Sequence, residues 1–202
     1  MPSASRQELL RTLAEKSFHL GEFTLSSGAV SDYYVDCRNT TLDAAGARLT
    51  GQVFLEEIQA RGWRPEAIGG MTLGADPIAV AVAVVSAEQA ASGPPLNAFL
   101  VRKADKQHGT AERIEGFRRP VARVVIVDDV CTTGASTLGA IEAVRQAGME
   151  IAGVMCLVER EEARGRPAVE HAAAPAPFVA LFIADEVRRA HADSRQPASP
   201  AR

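Results

Sequence analysis

At 202 residues, with 47% hydrophobic and 23% charged side chains, the chain is long enough for a full core and has the composition of a soluble α/β protein. Its formal net charge of −3 gives no general attraction for nucleic acid or an anionic membrane, so any anion binding has to be local. Cys37, Cys131 and Cys156 are odd in number and lack paired zinc-site spacing, which predicts reduced thiols in a cytoplasmic protein.

No signal-peptide pattern opens the chain, and the apolar run Ile78 to Val85 falls short of the roughly 20 residues a membrane helix needs. A buried helix is expected there. Ser5 with Glu8 makes a capping-box pattern for a first helix ending near Lys16, with Leu9, Leu10, Leu13 and Ala14 on one face. Phe23 to Gly28 and Ser31 to Asp36 read as a hairpin able to form a small hood. Asp43 caps a helix to about Ala60 that Gly62 ends, and Ala67 to Met71 is a strand. Asp76 and Pro77 read as the cap and first residue of a helix to about Ala91; Asn97 to Arg102 is the next strand. Residues 103–118 are polar and without period, a long loop.

Val124 to Val127 are four apolar residues in a row, which suits a strand buried on both faces, followed by a small-residue turn into a helix near Ser136 that Gly148 closes. Ile151 to Val158 and Phe178 to Ile183 are further strands. Ala184 to Ala190 is a short helix or turn, and from Ala192 the tail has too few apolar residues to fold. Strands alternating with helices imply one α/β domain over residues 1–190 with a mostly parallel sheet, ligands meeting the carboxyl ends of its strands.

Three stretches at such ends carry chemistry. The N–H groups of residues 132–136, at the start of a helix, favour a phosphate, and Asp128 and Asp129 beside them suit sugar hydroxyls or a nearby magnesium ion. The run alone fits the magnesium-binding strand of a nucleotide hydrolase equally well. That reading, however, requires G-x-x-x-x-G-K-[ST], which the chain lacks, as it lacks G-x-G-x-x-G. Arg102, Lys103, Lys106 and His108 gather positive charge in a glycine-hinged loop suited to covering a leaving polyanion. Arg160, after the strand 151–158, is placed to grip a planar carboxylate. Cys131 has no histidine close in sequence and reads as a spacer; His19, His171 and His191 are isolated.

Together these stretches resemble the phosphoribosyltransferases, and within them the orotate phosphoribosyltransferase family. Val125 to Gly134 resembles the phosphoribosyl pyrophosphate signature, Phe23 to Asp36 the N-terminal hood, and Arg102-Lys103-x-x-Lys106-x-His108-Gly109 the catalytic loop. The resemblance implies a type I phosphoribosyltransferase fold with a small hood, and transfer of ribose 5-phosphate to N1 of orotate with release of pyrophosphate. Asp128, Asp129, Val130, Cys131, Thr132, Thr133, Gly134, Ala135 and Ser136 are then the ribose-phosphate residues. Thr132, Arg160, Tyr34 and Val35 meet orotate, and Arg102, Lys103, Lys106 and His108 act on pyrophosphate, partly in the partner's site of a homodimer. Magnesium arrives on the donor near Asp128 and Asp129, with no direct ligand assigned; neither nucleic acid nor membrane is an expected partner. Two family lysines are missing, at Ser26 and Gly74, which puts more of the pyrophosphate charge on Lys103 or Lys106. Transfer to another base, or a phosphoribosyl-pyrophosphate-sensing regulator, are the competing expectations.

Overall fold

The computed structural model describes residues 3–24, 30–89, 93–103 and 113–195. Among these, the chain runs α1 (Ala4–Lys16), β1 (Phe18–Thr24), β2 (Val30–Val35), α2 (Arg38–Thr41), α3 (Ala44–Ala60), β3 (Ala67–Met71), α4 (Ala75–Glu88) and β4 (Asn97–Val101). It continues with β5 (Ile114–Gly116), β6 (Arg123–Cys131), α5 (Ala135–Gln146), β7 (Glu150–Glu159), a 3-10 turn (Glu161–Ala163), α6 (Arg166–Ala173), β8 (Phe178–Ile183) and α7 (Ala184–Ser194).

The unbroken apolar run of β6 reflects helices on both faces of the sheet. Val125 and Val127 turn to one side, packing with Phe54, Ile78, Val82 and Leu9 from α3, α4 and α1. Val124 and Ile126 turn to the other, where Ala140, Ile141, Val144 and Val169 of α5 and α6 meet them. Each such aliphatic side chain contributes about 1.5–3 kcal/mol by leaving water. The sheet order is β5-β4-β3-β6-β7-β8, parallel except for β5, which runs antiparallel to β4. From β3 the chain moves outward to β4 and then returns to place β6 on β3's other side, so the order reverses between β3 and β6. A crevice opens at the carboxyl ends of strands at such a reversal.

β1 and β2 pair antiparallel, from Phe18 beside Val35 to Thr24 beside Val30, and form a hood whose first strand starts at Phe18, five residues before the expected Phe23. Phe18 stacks on Tyr33 and meets the ring of His191 in α7, whose Nδ1 lies 2.7 Å from the Ala14 carbonyl. The hood is thereby tied to both chain ends.

Several expectations shift. Ser3, not Ser5, caps α1 by accepting from the Arg6 N–H, while Ser5 Oγ donates to Glu56. Helix α4 starts at Ala75 after Gly74, so Asp76 lies inside the first turn and is not the cap. The polar stretch 103–118 contains strand β5, whose antiparallel pairing with β4 does not depend on an apolar run. Helix α6 was not anticipated, and α7 continues past Ala192 to Ser194. Leu25 to Gly28 of the expected hairpin, Lys106 and His108, and the tail beyond Arg195 lie outside the described residues.

Asp43 is the expected cap of α3: its carboxylate accepts from the Gly46 N–H and pairs with Lys16 at the end of α1. Asp43→Ala is expected to cost about 1 kcal/mol, the worth of a cap. A thermal midpoint lower by about 2–4 °C, by circular dichroism, checks it.

Candidate active site

The cradle is built at the end of β6. Gly134 takes φ +78°, a left-handed conformation that a side chain strains, and so turns the chain into α5. No side chain caps α5, which leaves its first-turn N–H groups turned toward the loop 132–134 and able to receive an anion. The loop is backed from behind by α6. A Cβ on Gly165 would lie 2.1 Å from the Thr132 carbonyl oxygen, and one on Gly134 would lie 2.5 Å from Val169.

Asp128 and Asp129 stand just before this loop. Asp128 is buried; its Oδ2 accepts from Thr137 Oγ1 at 2.8 Å and its Oδ1 from the Asp129 N–H at 3.1 Å. Burial, reinforced by the neighbouring Asp129 charge, pushes the Asp128 carboxyl up from 3.8 to about 7. Burial also raises Asp129, whose Oδ1 accepts from the Val130 N–H. Two carboxylates in so dry a corner favour a ligand that brings hydroxyl donors or positive charge.

Around them lies a cleft of about 1460 Å³, lined on the β3 side by Thr72, Leu73, Gly74 and Lys103 and on the β7 side by Arg160 and Glu162. The hood closes its roof with Ser31, Tyr33, Tyr34 and Val35. Gly74 is pressed against the acid pair: a Cβ there would sit 2.2 Å from Asp129 Oδ1. Arg38 also lines the cleft and is paired to Asp36.

Arg160 is almost wholly buried. Its Nε donates to Glu162 Oε1 at 2.9 Å and to the Tyr33 hydroxyl at 3.2 Å, its Nη2 donates to Ser31 Oγ at 3.0 Å, and its guanidinium lies 4.3 Å from the centre of the Tyr33 ring. The Tyr33 hydroxyl donates a short bond to Glu162, and burial together with that carboxylate pushes its pKa up to about 12. The result is a planar cation, held over a ring, with a carboxylate already against one edge.

Of the residues expected from sequence, the cleft brings together Asp128, Asp129, Val130, Thr132, Thr133, Ser136, Arg160, Tyr34, Val35 and Lys103. Gly134 and Ala135 lie in the same loop and first turn. Cys131 is fully buried in the core, as suits the spacer expected there, and is not among the residues that line the cleft. Arg102 pairs with Glu115 at 3.5 Å and does not line this chain's own cleft. Residues that sequence reasoning missed are Ser31, Tyr33, Glu162, Thr137, Arg38 and Gly165. Period-two alternation in β2 carried the signal for two of them, because it sets Ser31, Tyr33 and Val35 together on the more buried face.

Residues 79–172 match the model of the phosphoribosyl transferase domain. The orotate phosphoribosyltransferase of Streptomyces avermitilis is 43% identical over 182 residues, covering 90% of this chain and 96% of that one. The chain belongs to the orotate phosphoribosyltransferase family. The crystal structure of the Mycobacterium tuberculosis H37Rv orotate phosphoribosyltransferase superposes with a TM-score of 0.76 at 37% identity, over 91% of this chain and 98% of that one. The same enzyme in complex with 5-phospho-α-D-ribosyl 1-diphosphate gives 0.70 at 30%, over 93% of each chain. The α/β fold expected from sequence, a mostly parallel sheet between helices, is that of this family of orotate phosphoribosyltransferases.

The raised Asp128 carboxyl has a consequence for stability. The folded state binds its proton more tightly than the unfolded chain does, so this contribution is complete below pH 3.8 and is lost as pH rises through about 7. Asp128→Asn keeps an acceptor for Thr137 and removes the charge. Its ligand-free thermal midpoint is expected to exceed that of the unsubstituted protein at pH 8, with the gap closing toward pH 5, as read by calorimetry across that range.

Proposed function

We propose that this cleft transfers the 5-phosphoribosyl group from phosphoribosyl pyrophosphate to N1 of orotate, giving orotidine 5′-phosphate and pyrophosphate in pyrimidine nucleotide synthesis. One observation carries it: an uncapped helix start, a buried acid pair and a buried arginine converge on a single cleft. The loop 132–136 holds the 5′-phosphate through backbone N–H groups. Asp128 and Asp129 accept from the ribose hydroxyls, while Arg160 grips the orotate carboxylate and Thr132, Tyr34 and Val35 border the ring. As N1 bonds to C1′, the C1′–O bond breaks with its electron pair leaving on pyrophosphate, and the N1 proton is lost to solvent. Charge building on the leaving group meets Lys103, and, across a homodimer, Arg102, Lys106 and His108. The exposed apolar side chains of Leu73, Val80 and Val84 support a second copy covering that face.

The donor set suits a magnesium ion carried in on the pyrophosphate. Asp128 and Asp129 already accept protein hydrogen bonds, and among the described residues no group of three or more metal-binding side chains gathers. Bound beside the pair, the ion neutralises leaving-group charge. What the chain itself contributes is the placement of two acidic oxygens near that position.

Orotate absorbance is expected to fall when phosphoribosyl pyrophosphate and magnesium are added together, with hypoxanthine, adenine and uracil unreactive because they offer Arg160 no carboxylate. A protein that consumes one of those bases and leaves orotate untouched would overturn the reading. Glu162 holds one edge of Arg160 and orients the guanidinium. Glu162→Ala is therefore expected to raise the KM for orotate about two- to tenfold, the worth of one orienting hydrogen bond, and to leave the KM for the donor unchanged.

A further inference from the structure

We infer that Arg38 binds the pyrophosphate of the donor, supplying a positive charge that position 74 cannot carry. The inference rests on the proposed transfer and adds a substrate-binding residue to it. The sheet order divides the cleft. The cradle follows β6; Arg160, at the end of β7, and the hood stand to one side, and Thr72 to Gly74 after β3 with Lys103 after β4 stand to the other. A base entering from the Arg160 side displaces a leaving group toward the β3 side, because attack and departure are on opposite faces of C1′. A cation is needed on that side, and Gly74 has no room for one: its Cβ direction points into Asp129 Oδ1.

Arg38 is on the required side. It opens α2, which packs against α4, the helix that follows β3, and it lines the cleft with Gly74 and Asp129. Its charge reaches Asp129, where it opposes the upward push of burial. Asp36 fixes its direction: Oδ1 accepts from Nε at 2.8 Å and from the Arg38 N–H at 3.1 Å, and Oδ2 accepts from Nη2 at 2.9 Å. This grip uses one edge of the guanidinium and leaves Nη1 without a hydrogen-bond partner among the described residues. The side chain is 46% exposed, and an ion pair so exposed contributes little to folding. A bland reading makes the pair a brace for the entry to α2. That reading gives no reason for the guanidinium to line a cleft with an acid pair and a glycine without side-chain room.

The probe is inorganic pyrophosphate with magnesium, titrated calorimetrically into the unsubstituted protein, Arg38→Met and Arg38→Lys. Arg38→Met is expected to bind it about tenfold or more weakly, the loss of one charge-assisted hydrogen bond, with Arg38→Lys recovering part. The KM for phosphoribosyl pyrophosphate rises in parallel, the KM for orotate stays within about twofold, and the thermal midpoint is unchanged. Equal pyrophosphate affinity in Arg38→Met and the unsubstituted protein overturns the inference, and so does an equal loss in Arg38→Met and Arg38→Lys. The two readings fail separately. Arg38-dependent pyrophosphate binding without orotate consumption sinks the proposed acceptor and leaves Arg38 standing, whereas orotate consumption with Arg38-independent binding sinks Arg38 alone.

Discussion

The burial of two adjacent carboxylates at the end of β6 is the constraint on which the rest of the site depends. Asp128 is held in place by Thr137 from α5 and by the backbone N–H of Asp129, and its proton affinity is raised because water is excluded. Such a pair is a liability for an empty protein and an asset for one that receives sugar hydroxyls and a cation-bearing donor. Its position is set by topology. β6 is the first strand laid down on the far side of β3, so its carboxyl end faces the crevice where the strand order reverses.

In the proposed transfer that reversal also separates the two halves of the reaction: the groups for an incoming base are on β7 and the hood, and those for a departing polyanion follow β3 and β4. The chain leaving the hood links the two sides. β2 presents Tyr33 and Ser31 to Arg160, and the chain then runs within three residues from Val35 to Arg38 on the other side of the cleft. The hood is thus a structural link between acceptor and leaving-group subsites, which explains why it is anchored through Phe18 and His191 to both ends of the chain.

Much of this was legible in the sequence wherever one physical signal dominated. The apolar run of β6, the strand 67–71 and the Asp43 cap were each announced by strong local chemistry, and the structure has the strand and the cap in those places, while β6 continues past the apolar run to Cys131. Helix α6 was hidden because Arg166 and Pro167 begin it amid charge, and what it buries, Val169 and Ala173, is two small side chains. Strand β5 is three residues long and takes its conformation from pairing with β4, which no local pattern reports. At the site, residues that speak through backbone or charge were visible, namely the loop 132–136, the acid pair and Arg160. Residues that act by shape or reach the cleft through tertiary pairing were not: Gly165 matters because α6 touches the Thr132 carbonyl, and Arg38 and Glu162 because folding brings them to the cleft, while Gly74, noted only as a missing lysine, is pressed against Asp129.

The arginines around the cleft follow one electrostatic pattern. Arg160 is set against Glu162, Arg38 against Asp36, Arg166 against Glu159, and Arg188 against Asp32. A guanidinium has two usable edges, so a protein carboxylate on one edge orients the group and offsets its self-energy while the other remains available to a ligand. A chain of net charge −3 can then offer strong local anion sites without becoming basic overall. The pairs differ in what they leave open. Arg166 is taken by both Glu159 and Glu170 and lies against the Phe178 ring, which makes it a structural strut beneath the cradle. Arg38 and Arg160 each line the cleft, and in the proposed displacement at C1′ one meets the anion that leaves and the other the anion that arrives.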